Sequence, residues 1–302
     1  VSASEISNSP ATAVEDIPIQ YTIGTETESA ACGNNGSDRY YDRPYRISEV
    51  RDSEVPYGIR AGAYRPKEWP NEDEYDWSVG TLGPRVWDHE DMEYRFTITA
   101  HTTLQYDGGK PDWKNPDSHS DDAIGRAIAQ PGGSSHQIGT VSRGSYHYTD
   151  EDSPTYLDVA VIKPDEDLYP IRSVGEQNGQ GVDEAFDIGH GTYSVDQLKD
   201  LEAGTDLIRQ GQRTGRCGTP IDEINSSGSR FRLEHDGDYH DTNGDSGSPY
   251  FVEDDGEFLV AGMHRASTQT QIYHPDFGWI DVMVGIGMAM EWVENNMNIS
   301  SM

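Results

Sequence analysis

The stretch Asn243-Gly244-Asp245-Ser246-Gly247-Ser248-Pro249 sets a serine between two glycines and runs straight into the apolar segment Pro249-Tyr250-Phe251-Val252. No other feature limits the available folds as strongly. Glycines at 244 and 247 open backbone conformations closed to other residues, so the amides of Gly244 and Ser246 can both point at one developing oxyanion. The apolar run reads as a strand. The nucleophile elbow of α/β-hydrolases sets its serine between a strand and a helix, inside a Gly-x-Ser-x-Gly frame. Gly244-Asp245-Ser246-Gly247 breaks that frame, which leaves a nucleophile presented ahead of a strand.

A serine nucleophile needs a base, and the base needs an orienting acid. Upstream, Tyr94-Arg95-Phe96-Thr97-Ile98-Thr99-Ala100-His101 alternates apolar and polar residues, the pattern of a half-buried strand delivering His101 at its end. Further on, Thr155-Tyr156-Leu157-Asp158-Val159-Ala160-Val161-Ile162 puts a carboxylate at the mouth of an apolar run. Aspartate is disfavoured in strands, so Asp158 needs a partner there, and an imidazolium at His101 is one.

The order His101, Asp158, Ser246 resembles the chymotrypsin-like serine proteases, in which base, acid and nucleophile follow one another in that sequence. Thr-Ala-His before the base, Asp-Val-Ala-Val around the acid and Gly-Asp-Ser-Gly around the nucleophile carry the likeness. A fourth segment, Ile208-Arg209-Gln210-Gly211-Gln212-Arg213-Thr214-Gly215-Arg216-Cys217-Gly218-Thr219, is similar to the Gly-Arg-Thr-Thr-Gly region of the bacterial branch that contains α-lytic protease and the streptogrisins. The resemblance implies an all-β fold of two antiparallel Greek-key β-barrels with a C-terminal helix. It also implies a polypeptide substrate, no cofactor, catalytic His101, Asp158 and Ser246, and an oxyanion hole from Gly244 and Ser246. By the same analogy Arg209 holds Asp245 and fixes the oxyanion loop without zymogen cleavage.

The departures from the family pattern are specific. One small residue is missing between the Thr-Ala pair and the histidine, a shortening that stands to misaim the imidazole. Where many members have Ser-Trp-Gly or Ser-Gly-Gly, this chain has Met263-His264-Arg265-Ala266-Ser267, whose side chains at 266 and 267 are expected to narrow the primary pocket. Family spacing sets His240 and Asp241 near the pocket base, where a carboxylate favours a basic substrate side chain. His264 resembles the histidine of glutamate-directed members, so the two clues point in opposite directions. His235, Asp236, Asp238, His240 and Asp241 also concentrate oxygen and imidazole ligands, but their spacing fits no EF-hand loop and reads as an acidic surface turn, so no metal is assigned. Two other classes use the same residues: an esterase acting on small acyl groups, and a protease-like module that binds without turnover.

With 54 acidic and 22 basic residues the formal charge is -32, and only five of the basic residues are lysine. The acid is spread along the chain, while 17 tyrosines and 6 tryptophans argue that most of it folds. Self-repulsion at this charge is costly in dilute buffer and is relieved when the screening length falls to about 3 Å at 1 M salt. The composition therefore reads as adaptation to high salt, and it argues against nucleic acid as a partner, since phosphate binding draws on basic patches.

Residues 1–77 read as a loop-rich, partly flexible N-terminal extension or a pro-segment remnant, and residues 78–302 as the domain, its two barrels split near 165–205. Asp107-Gly108-Gly109, Pro131-Gly132-Gly133 and Asp255-Gly256 are turn signals. Ile286, Ala289, Met290, Val293 and Met297 recur at helical spacing. Cys32 and Cys217 either form one disulfide tying the extension to the second barrel or stay as two thiols. No 18-residue apolar run is present, so no membrane span is expected, and export is the favoured reading despite the lack of a signal-peptide pattern after Val1. The sequence does not indicate an oligomeric state.

Overall fold

The computed structural model describes residues 54–66, 75–104, 123–130, 137–148, 156–178, 181–201, 206–212, 215–225, 227–234, 245–274 and 278–301. Strands dominate, in three sheets with short helices between them. The N-terminal strands are β1 (Glu54–Tyr57), β2 (Arg60–Pro66), β3 (Tyr75–Thr81), β4 (Gly83–Asp88) and β5 (Glu93–Ile98), followed by the one-turn helix α1 (Ala100–Thr103). Next come β6 (Ala127–Ala129), β7 (Gln137–Tyr148), β8 (Tyr156–Pro164), β9 (Tyr169–Asn178), β10 (Gly181–Asp187) and α2 (Val195–Asp200). The rest comprises β11 (Asp206–Gly211), β12 (Gly215–Ile224), β13 (Phe231–Glu234), β14 (Pro249–Asp254), β15 (Glu257–His274), β16 (Gly278–Ala289), α3 (Met290–Met297) and β17 (Ile299–Ser300).

The C-terminal half closes as a six-stranded barrel, β11-β12-β13-β16-β15-β14. Ranked by position in the chain this order is 1-2-3-6-5-4, and closure of β14 on β11 sets strand 4 beside strand 1, the Greek-key adjacency. The N-terminal sheet runs β17-β4-β5-β8-β7-β6-β2-β3. Its six strands from β4 to β2 repeat the same cyclic order, opened between β2 and β4. Two backbone bonds span that opening, Gly58 N–H to the Leu82 carbonyl at 2.7 Å and Leu82 N–H to the Ile59 carbonyl at 2.8 Å. The two halves are thus two copies of one antiparallel Greek-key plan. The third sheet, β1-β9-β10, is built on the connection between them.

Each half has its own apolar centre. Val55, Ile59, Ala61, Leu82, Phe96, Ile98, Ile128 and Ile162 form the first, and Leu207, Phe231, Leu233, Tyr250 and Ala261 form the second. A third cluster, including Val159, Val161, Phe251, Met263, Met288, Met290 and Val293, draws strands from both halves and the C-terminal helix. Residues 54–66, which the sequence groups with the N-terminal extension, supply β1, β2 and fully buried side chains of the first core. Small residues dominate β2 (Arg60-Ala61-Gly62-Ala63), so its apolar alternation is faint.

Turn chemistry fixes the long hairpin of the second barrel. Asp255 and Gly256 both take positive φ, 49° and 84°, between β14 and β15, the handedness a tight two-residue hairpin requires. The other two turn signals, 107–109 and 131–133, and both sides of the Cys32–Cys217 question, lie outside what the structure describes at side-chain level. At the C-terminus, Met290, Val293 and Met297 occupy the buried face of α3. Ile286 and Ala289, read from their spacing as part of that helix, belong to β16 instead, because ladder pairing with β13 runs to Gly287 and with β15 to Ala289. Asn298, left-handed at φ 51°, ends α3. The chain then returns to the first sheet as β17, paired with β4. No helix among the described residues is long and apolar enough to cross a membrane.

Candidate active site

His101 and Asp158 meet where α1 packs on β8. The expected strand before the base ends at Ile98, and His101 lies in the helical turn that follows rather than on the strand. Thr99 and Thr102 hydroxyls bond to each other at 2.9 Å inside that turn, and the Thr103 hydroxyl donates to the Ala100 carbonyl at 2.8 Å. Ser78 of β3 and Arg126, just before β6, donate to the carbonyls of Thr102 and Thr103. These contacts satisfy the open carbonyl end of a turn too short to do so itself.

The carboxylate takes hold of His101 twice. The His101 backbone N–H donates to Asp158 Oδ1 at 2.9 Å, and Nδ1 lies 2.7 Å from Oδ2. The missing residue before His101 therefore leaves the imidazole on its acid, because the peptide amide shares the anchoring. Asp158 is 1% exposed and His101 about a quarter exposed, so the acid is closed off while the ring keeps an open edge. Burial pushes the Asp158 carboxyl up, but the His101 charge, the His101 hydrogen bonds and Arg265 together more than offset that, and the group is held below its ordinary value. With Nδ1 on the carboxylate, Nε2 is the ring atom left for a reacting proton.

Ser246 lies in the turn that precedes β14. Its carbonyl accepts from Thr81 N–H at 2.7 Å, the Gly247 amide donates to the His264 carbonyl at 2.8 Å and the Ser248 amide to the Asp245 carbonyl at 2.8 Å. The Ser246 amide has no backbone acceptor among the described residues. Gly247 has φ +97°, and a Cβ there would come within 2.1 Å of the Thr81 carbonyl oxygen. Only glycine fits. Gly80 marks the approach of the two halves: a Cβ on it would stand 2.9 Å from Thr102 Oγ1 and 3.0 Å from the Ser246 carbonyl. The serine turn and the base-bearing turn therefore crowd one point. Among the described residues the Ser246 hydroxyl donates to the Arg265 carbonyl at 3.3 Å rather than to His101.

Arg209 and Asp245, both fully buried, approach to 3.6 Å. His264, 1% exposed, adjoins them: its Nδ1 is 2.7 Å from the Tyr250 hydroxyl and 3.5 Å from Arg209 Nη1. Arginine can only donate, so toward Arg209 Nδ1 is the accepting nitrogen. Of the remaining predicted site residues, Gly244, His240 and Asp241 lie outside the described residues, as does the 235–241 cluster. Among the described residues no group of three or more histidine, cysteine or acidic side chains is arranged to hold a metal ion.

The residue that sequence reasoning undervalued is Arg265. It stands at a register shift of β15 between His264 and Ala266, and its Nε lies 3.4 Å from Asp158 Oδ2. The sequence marks His264-Arg265-Ala266 as a departure from the family pattern. It carries no sign that a bulge turns the arginine toward the acid.

No protein-family model matches this chain, and no curated protein matches it in sequence. Among solved structures it is similar to one described as a glutamic-acid-specific serine protease that uses a histidine triad in substrate binding, at 12% identity and a TM-score of 0.46. The match covers 82% of this chain and 100% of that one. A likeness this distant transfers no activity.

Proposed function

We propose that this protein is a serine endopeptidase of the chymotrypsin-like type working in high salt, with His101, Asp158 and Ser246 as its triad. The double hydrogen bond between His101 and the buried Asp158 carries the reading. It fixes ring orientation and tautomer together, the task of the acid in such a triad.

In this mechanism Ser246 Oγ turns from the Arg265 carbonyl toward His101 Nε2 and gives up its proton as it attacks the substrate carbonyl. Asp158 stabilises the resulting imidazolium. The tetrahedral oxyanion is received by the Ser246 amide and, by the family analogy, that of Gly244. His101 then protonates the leaving amine, and water, activated by the same imidazole, hydrolyses the acyl-enzyme. Arg209 supports the loop through Asp245.

Cleavage of a mixed peptide library in molar salt, mapped by mass spectrometry, tests activity and preference together. Cuts that vanish in Ser246→Ala support the proposal; cuts after arginine or lysine favour Asp241 as the pocket anion, and cuts after glutamate favour His264. The hydrogen bond from Ser246 to a carbonyl favours a second reading, a binding module without turnover, which an uncut library in folded protein would support. Hydrolysis of short-chain esters alone would support the esterase.

A further inference from the structure

Arg265 touches both ends of the proposed triad. Its carbonyl accepts the Ser246 hydroxyl, and its guanidinium reaches Asp158 Oδ2, the oxygen that also faces His101 Nδ1. The arginine side chain is 8% exposed and the aspartate 1%, so salt screens the pair far less than it screens a surface pair. Whenever His101 is protonated, one carboxylate oxygen stands between two cations, and the guanidinium cannot give up its charge.

We infer that Arg265 is a positioning residue for the base: its fixed charge on Asp158 opposes imidazolium formation and keeps His101 neutral and proton-accepting to lower pH than Asp158 alone would allow. The contribution of Arg265 to the lowered Asp158 value agrees with this. Other charged or titratable groups near α1 do not substitute for it. Arg126 caps the Thr103 carbonyl at the end of the turn, and Arg143 on β7 is engaged by Asp88 and Glu90. Tyr146, opposite Asp158 in the β7–β8 ladder, carries no charge at neutral pH. Among the described side chains Arg265 is the arginine within ion-pair distance of Asp158. A merely structural arginine would leave the titration of His101 where it is.

This inference deepens the proposed function and rests on that reading for its kinetic consequence, while the charge balance is measured on the imidazole itself. The experiment is an NMR titration of His101 in molar salt, on Ser246→Ala protein carrying Arg265, Arg265→Lys, Arg265→Met or Arg265→Gln. The two neutral variants are expected to move the His101 titration to higher pH, with Lys restoring most of the original behaviour. Glutamine, neutral but still carrying N–H donors, covers a fold lost with methionine. In the Ser246 enzyme the acid limb of kcat/KM should move up with it. An imidazole that titrates at the same or lower pH in the neutral variants overturns the inference. Because the titration needs no nucleophile, an inactive wild type would sink the protease reading and leave this result standing.

Discussion

In the proposed mechanism Asp158 links catalysis and stability at one carboxylate. Its native pKa is depressed, so its stabilising contribution is complete above the ordinary carboxylate value and is lost as pH falls through the lowered one. Asp158→Asn should therefore flatten the loss of stability below about pH 4, as read from denaturant midpoints against pH. The same change should cut kcat about 10^4-fold, measured at saturating peptide. Ser246→Ala should cost on the order of 10^6 in kcat with substrate affinity largely kept. The pairing of His101 with Asp158 was legible in the sequence because each motif has a local signature: a histidine closing an alternating strand pattern, and a carboxylate set inside an apolar run. Arg265 was not, because its role comes from a bulge, and a one-residue slip in a ladder leaves no mark on composition or periodicity. His264 was read as a pocket residue, and its engagement by Tyr250 and Arg209 depends on three strands meeting, which no local pattern encodes.

Turns and the C-terminal helix show where sequence patterns reach their limit at the scale of elements. Asp255-Gly256 was readable as a hairpin because its backbone handedness is a chemical requirement of that turn. The start of α3 was not, because buried residues of β16 and α3 follow one another in the same core and period alone does not divide them. Strand β2 was hidden for the opposite reason: alanines and glycines bury little area and give little amplitude. Gly247→Ala should be the most damaging small substitution near the site, since its Cβ collides with a backbone carbonyl that cannot swing aside. Loss of both activity and a cooperative unfolding transition is expected, checked by near-UV circular dichroism. Met290, fully buried between the halves, should cost about 2–5 kcal/mol when changed to alanine, read from the shift in denaturant midpoint.

For the molecule as a whole, the excess of acid is organised around its few arginines. Arg95 bridges Asp91 and Glu93, Arg143 bridges Asp88 and Glu90, and Arg232 bridges Asp222 and Glu223. Each cation is shared by two carboxylates, so local pairing leaves most of the -32 charge unbalanced. Moving from about 1 M to about 0.1 M salt lengthens the screening distance from roughly 3 to 10 Å. The thermal midpoint should fall by several degrees, on the order of 1–3 kcal/mol, in a scanning-calorimetry salt series; a midpoint independent of salt would remove the case for salt adaptation. The central claim, that His101, Asp158 and Ser246 work as one unit, is tested most directly by labelling the folded protein in molar salt with a fluorophosphonate and mapping the modified peptide. The account predicts a single adduct on Ser246 that disappears in His101→Ala, whereas unlabelled Ser246 in folded protein, or labelling indifferent to His101, would contradict it.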